Sequence, residues 1–409
     1  MERKVIPYAR QWVDADDLEA VAAVLRSDWL TTGPRVADFE SAVAASVGAR
    51  EGVAVSSGTA ALHCAMSAVG IGPGDEVIVP PLTFVATANA VVFQGGKPVF
   101  ADIDPETLLL DPEKVRAQIT PRTKAIVAVD YAGCPCDYQA LQTLARTRGL
   151  ILIADACHSL GASYQGKKVG TLADLTVFSF HPVKHITTGE GGMVVTDNPE
   201  WAAAMRRFRN HGLSTDHRQR AQQGTWRYAM LELGYNYRLT DFQCALGISQ
   251  LAKLDAWVAR RQEIARGYDA HLADLPGISL IQTPPQVSHS HHLYVILLEL
   301  KRLRADRDQV FQALRTRGIG VNVHYLPVHL HPFYQQHLQT RPGDCPVAEE
   351  AYERLLSLPI FPGLSDEEVF QVIEALRETL EEFRLNESSP DATMRGLDAD
   401  FPITAGLGN

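Results

Sequence analysis

The chain has 409 residues, 46% hydrophobic and 21% charged, the balance of an ordinary globular protein rather than a disordered or membrane-embedded one. That length is too great for one small core and predicts two domains with a large apolar interior. With 38 basic and 48 acidic residues the net charge is −10, which argues against general affinity for nucleic acid or anionic membranes.

Met1 to Pro7 lacks the apolar core of a signal peptide, and no apolar run is long enough to span a bilayer. Six cysteines in a chain of this size do not make a disulfide scaffold, so reduced thiols and a cytoplasmic location are expected. Cys134 and Cys136 form a lone pair without a second pair at zinc-finger spacing, so no metal is expected.

In chain order, apolar β-branched runs predict strands over 52–56, 76–80, 98–102, 125–131, 150–155, 175–180 and 192–196. Helix-period stretches such as 59–69 and 138–147 lie between them. This alternation predicts an α/β fold, a mainly parallel sheet with helices on both faces. The spacing of Leu246, Leu251, Leu254, Trp257, Val258 and Ile264 predicts one long helix over about 240–271, joining two domains. Strands over 293–298 and 320–325 and helices over 306–317, 345–356 and 365–385 then make a smaller α+β domain. The expected division is a large domain over 1–250, a small one over 251–385, and a loosely held tail over 386–409.

Chemistry-bearing residues fall beyond strand ends, where open parallel sheets bind ligands. Lys184 lies between two strands, where partial desolvation makes an amine nucleophilic. Asp155 ends an apolar strand, although a capping role is commoner for an isolated aspartate. Ser57-Gly58-Thr59 follows a strand and opens a helix, so its N–H groups can meet a phosphate. Together these suggest a Schiff base between Lys184 and pyridoxal phosphate, with Asp155 facing the ring nitrogen. Ser179 can add a hydroxyl to the phosphate, and Phe84 is the aromatic best placed to stack on the ring. Lys184 would also shuttle the substrate proton.

Rival motifs fail on placement. Gly70-Ile71-Gly72-Pro73-Gly74 precedes a strand instead of following one, as a dinucleotide signature would. The run His289-Ser290-His291-His292 lacks acidic or thiol companions and reads as a polar entry to the next strand. Arg206, Arg207, Arg209, Arg218, Arg220, Arg227 and Arg238 crowd positions 201–240, a segment that either faces an anionic ligand or is simply solvated.

Four stretches in order carry a resemblance: Ser57 to Leu62, Pro73 to Ile78, Asp155 to His158, and Gly234-Tyr235-Asn236-Tyr237-Arg238-Leu239-Thr240-Asp241. The chain resembles the DegT/StrS family of sugar-nucleotide aminotransferases over roughly residues 5–385. The resemblance implies a pyridoxal 5'-phosphate (PLP) enzyme of fold-type I, with a seven-stranded large domain, a small C-terminal domain and a homodimer sharing its active sites. It adds His158 to the cofactor residues, and Asn236 as the asparagine that reaches the neighbouring subunit's cofactor phosphate. His181-Pro182-Val183-Lys184 and the run Gly320 to His329 resemble members acting in pseudaminic-acid synthesis. That likeness implies glutamate as donor and amination at C4 of a UDP-linked 2-acetamido-2,6-dideoxy-4-ketohexose. Tyr8, Leu30, Thr31, Thr32, Gly33, Asn322, His324 and Tyr325 then match substrate-side positions. Other expectations within the family are a C3 or dTDP-ketosugar aminotransferase, or a non-catalytic sensor.

Overall fold

A computed structural model describes residues 5–385, so the expected tail over 386–409 lies outside the described residues. Its centre is a sheet of seven strands: β1 (Glu51–Val55), β2 (Glu76–Val79), β3 (Lys97–Phe100), β4 (Thr123–Val129), β5 (Ile151–Asp155), β6 (Leu175–Ser179) and β7 (Gly192–Thr196). All seven expected strands are present, displaced by no more than two residues at their ends. Their spatial order is β1-β7-β6-β5-β4-β2-β3. β7 pairs antiparallel with both β1 and β6, and every other pair is parallel. Six strands therefore finish at one edge.

Alternation along each strand feeds two apolar layers. Ala54, Ile78, Ile126, Leu152, Phe178 and Met193 enter one, and Val53, Val77, Val127, Ile153, Val177 and Val194 the other. Both faces are covered by helices, which is why these strands read as continuous apolar runs. Helix Gly58–Ala68 follows β1 directly. Its N-cap is Ser57, whose hydroxyl accepts from the Ala60 N–H at 3.1 Å.

A second sheet holds Ile278–Leu280, Tyr294–Leu298 and Leu355–Leu358. Strand Tyr294–Leu298 is buried on both sides. Val295 and Leu297 point into the large sheet's core, while Tyr294, Ile296 and Leu298 join a third cluster with Ile264, Tyr268, Val372 and Leu376.

Three expected elements are corrected. The single helix over 240–271 is two, Asp241–Leu251 and Leu254–Leu272. At the break, Lys253 turns its ammonium to Asp14 and to the buried Asp17, 2.9 Å away. The helix over 345–356 stops at Arg354, and Leu355–Leu358 pairs antiparallel with Tyr294–Leu298. Residues 320–325 are not a strand and make one isolated bridge, Asn322 to Ser357. There the backbone turns to side chains instead: the Val323 N–H donates to Asn322 Oδ1, and the His324 carbonyl accepts from the Tyr131 hydroxyl. The His324–Tyr325 peptide is cis.

Candidate active site

The strand ends bring Lys184, Asp155 and the Gly58–Thr59 turn to one cavity of about 570 Å³. Lys184 sits in the loop between β6 and β7. That loop is closed on itself: the Phe180 carbonyl accepts from the Thr188 N–H at 3.0 Å and the Thr187 hydroxyl at 3.1 Å. Burial pushes the lysine pKa below its ordinary value, and Cys157 and Asp155 partly oppose the shift. Its Nζ lies 3.5 Å from His292 Nε2.

Asp155 is 5% exposed. Its Oδ2 accepts from the Thr87 hydroxyl at 2.7 Å, and Thr87 in turn pairs with the Thr83 hydroxyl at 2.8 Å. Its Oδ1 accepts from the Cys157 N–H at 3.3 Å. A buried carboxylate so tethered cannot swing away, which suits it to one fixed partner.

The first N–H groups of a helix have no partner within it, and the Gly58–Ala68 helix opens into this cavity. A Cβ at Gly58 would stand 3.0 Å from Ser179 Cβ and 3.3 Å from Cys157 Sγ, so the helix end, β6 and the β5 loop are closely approximated. Ser179 and Phe84 also line the cavity, with the Phe84 ring 56% exposed and 5.9 Å from that of Tyr325.

Tyr8, His158, Asn322, His324 and Tyr325 also line the cavity. His158 Nε2 is 3.2 Å from the Tyr325 hydroxyl. His324 Nε2 is 3.3 Å from Asn322 Nδ2, and its Nδ1 is 2.8 Å from the Ser357 hydroxyl. Tyr8 reaches in from an N-terminal arm held by an Ile6–Ile319 bridge and by the Ile360 N–H donating to the Tyr8 carbonyl. Burial raises the Tyr8 phenol, and Asn322 eases the shift.

Five expected residues lie elsewhere. Thr31, Thr32 and Gly33 line a separate depression of about 1020 Å³. Leu30 accepts from the Asp241 N–H, Thr31 bridges Thr240, and Gly33 donates to Asp241 Oδ2 at 2.7 Å. Asn236 is exposed and bridges Asn210. Seven arginines line this depression. Arg206, Arg207 and Arg209 meet Glu51, Glu232 and Glu40, whereas Arg218, Arg220 and Arg238 bond to neutral oxygens of Gly33, Thr215 and Asn210.

The sequence reading missed Thr83, Thr87, Cys157 and His292 as cavity residues. Thr83 and Thr87 flank Phe84 at helical spacing, a signal that was available. His292 was read only as part of a polar entry to a strand. Among the described residues, no group of three or more His, Cys, Asp or Glu side chains is arranged to hold a metal ion.

A lysine in a desolvating pocket, a fixed carboxylate and a helix N-terminus at one cavity of this sheet suit a PLP-dependent enzyme. The sequence profile of the DegT/DnrJ/EryC1/StrS aminotransferase family matches residues 11–377. The spore coat polysaccharide biosynthesis protein SpsC of Bacillus subtilis is 42% identical over 375 residues, 91% of this chain and 96% of that one. The fold is similar to that of Helicobacter pylori PseC, an aminotransferase involved in the biosynthesis of pseudaminic acid (36% identity, 93% of this chain and 100% of that one, TM-score 0.87). It is also similar to Streptococcus pneumoniae Spr1654 in its PLP form (31% identity, 92% of this chain and 99% of that one, TM-score 0.86). The chain belongs to the DegT/DnrJ/EryC1/StrS family and is a sugar aminotransferase that uses PLP.

Proposed function

We propose that this enzyme moves an amino group from glutamate to C4 of a UDP-linked 2-acetamido-2,6-dideoxy-4-ketohexose, as a cytoplasmic homodimer. The observation that carries this reading is the meeting of Lys184, Asp155 and the Gly58–Thr59 turn in one cavity, in a chain 36% identical to PseC. PLP, when bound, supplies an electron sink for the carbon that loses its proton.

The geometry supports a role for each of these residues. Gly58, Thr59 and Ser179 receive the phosphate at the helix N-terminus. Asp155, fixed by Thr87, holds a proton at the ring nitrogen. Phe84 and His158 line the cavity in which the ring would be held. Lys184 anchors the cofactor and, once free, carries the proton at the substrate carbon; its burial favours the uncharged amine that this task needs. Tyr8, Asn322, His324 and Tyr325 form the wall that orients the sugar.

The residues away from this cavity support the dimer. Thr31, Thr32 and Gly33 share a surface with Arg218, Arg220 and Arg238, whose charges meet no carboxylate among the described residues; Asn236 adjoins it through its bridge to Asn210, and Leu30 through Asp241, which also binds Gly33. In our reading this surface completes the partner's site, with the asparagine on the phosphate and the arginines on the diphosphate. Trp226, Met230, Leu231 and Leu233 are all more than half exposed in the same segment, an apolar strip that a second copy would cover.

Incubation with glutamate and a panel of UDP- and dTDP-linked 4-ketosugars and 3-ketosugars, read by mass spectrometry, tests the reading. A C4-aminated UDP sugar is expected. Product only from a dTDP sugar or at C3 would overturn the assignment, and cofactor that glutamate leaves unconverted would indicate a sensor.

A further inference from the structure

We propose that His292 is a positioning residue of the reaction, its Nε2 holding the Lys184 amine in place whenever that amine is free to carry a proton. The inference rests on the reading of Lys184 as the cofactor-bearing amine. Among the described residues, the contact to His292 Nε2, at 3.5 Å the outer limit of a hydrogen bond, is the one side-chain hydrogen-bond contact of Nζ.

The imidazole is built in. His292 is 3% exposed, and its Nδ1 is buried without a protein partner. Its loop is clamped from two directions. The Ser290 hydroxyl lies 3.1 Å from the His158 carbonyl and 3.3 Å from the Gly133 carbonyl. The buried Arg261 guanidinium donates to the carbonyls of His291 at 3.1 Å and Ile360 at 3.0 Å. Gly133, at φ +100°, packs so closely that a Cβ would stand 2.7 Å from the His158 carbonyl oxygen and 2.9 Å from the His292 nitrogen. The rings of His158 and His292, 4.3 Å apart, are thus mounted on one rigid junction beside the lysine.

The groups facing Lys184 are Asp155 and Cys157 from the end of β5 and the imidazoles of His158, His185, His292 and His324. Burial, reinforced by the lysine's own charge, keeps His292 uncharged far below the ordinary histidine value. Residue type matters at this spot. A carboxylate would hold the lysine as ammonium, and a hydrocarbon would leave the amine without a polar contact. A neutral imidazole accepts from the amine and orients it, while favouring its charged form far less than a carboxylate would.

The test compares the wild type with His292→Gln and His292→Phe. Each is first reduced with borohydride on PLP and mapped by mass spectrometry. Each is then stripped of cofactor, and Lys184 is titrated by trace acetic anhydride labelling against pH. Gln, which keeps a polar tip, should titrate close to the wild type. Phe removes the acceptor that favours the charged form, so its Lys184 should titrate lower by about one unit. The glutamate half-reaction should slow roughly 3- to 10-fold in Phe at unchanged glutamate KM, with Gln restoring most of it. If Phe does not fold, His292→Ala with added imidazole replaces it, and imidazole should return both readouts towards the wild type. Unchanged titration and rate in the Phe variant, or no rescue by imidazole, overturns the role of His292. Absence of a pyridoxyl mass on wild-type Lys184 would instead overturn the reading of Lys184.

Discussion

Replacing Thr87 by valine keeps the shape of the side chain and deletes the hydroxyl that donates to Asp155 Oδ2 at 2.7 Å. Water cannot take its place easily, because Thr87 is 1% and Asp155 5% exposed. A hydrogen bond to a charged acceptor contributes about 1.5–3 kcal/mol, against about 1 kcal/mol for a neutral pair. If the hydroxyl secures the carboxylate against the cofactor ring, that range corresponds to roughly 10- to 150-fold slower conversion by glutamate. The assay is stopped-flow absorbance on the wild type, Thr87→Val, Asp155→Asn and the double variant. With asparagine at 155 the acceptor is neutral, so losing the hydroxyl should cost no more than roughly fivefold. An equal factor in both backgrounds, or a Thr87→Val enzyme as fast as the wild type, would refute the coupling between this hydroxyl and the carboxylate.

Lys184→Ala should abolish turnover and the visible band of the bound cofactor; retained turnover in a spectrophotometric assay would contradict its role. If the sites are shared across a homodimer as proposed, mixing Lys184→Ala with Asn236→Ala should regain activity, because a mixed dimer would carry both lesions in one site and none in the other. No recovery after subunit exchange, followed by turnover, would count against shared sites. Stability should fall on acidification from about pH 6.5 towards 4. Burial lowers His63 and His324 to about 4 and His158, His185 and His292 well below 6.5. Below 6.5 the unfolded chain binds protons that the native one refuses, each histidine then costing about 1.4 kcal/mol per pH unit. Asp130, raised to about 7 by burial, works in the opposite direction and offsets one of the five. A melting temperature that stays flat over this range would refute the buried neutral histidines.

The seven strands were legible because both faces of the sheet are covered, so each strand reads as an unbroken apolar run ending at turn residues. Ser57, Asp155 and Lys184 could be placed for the same reason, since each stands at or beyond a strand end. Where side chains rather than periodicity decide, the reading failed. The apolar spacing continues smoothly through Ala252, and the contacts at the break, Lys253 with Asp14 and Asp17 and Gln250 with Asp17 and Trp12, reach 233 or more positions away. Leu355–Leu358 is as apolar as a helix end, and its pairing with a distant strand is not written locally. His292 stands 108 positions from Lys184, and spacing along the chain carries no sign that the two meet.

The central claim is that one amine, Lys184, bonds reversibly to the cofactor aldehyde. Borohydride reduction of the PLP-loaded protein, followed by peptide mass mapping, tests it most directly. The peptide carrying Lys184 should gain a pyridoxyl mass, and glutamate added before the reductant should prevent it. A pyridoxyl mass on another lysine, or on none, would contradict the account.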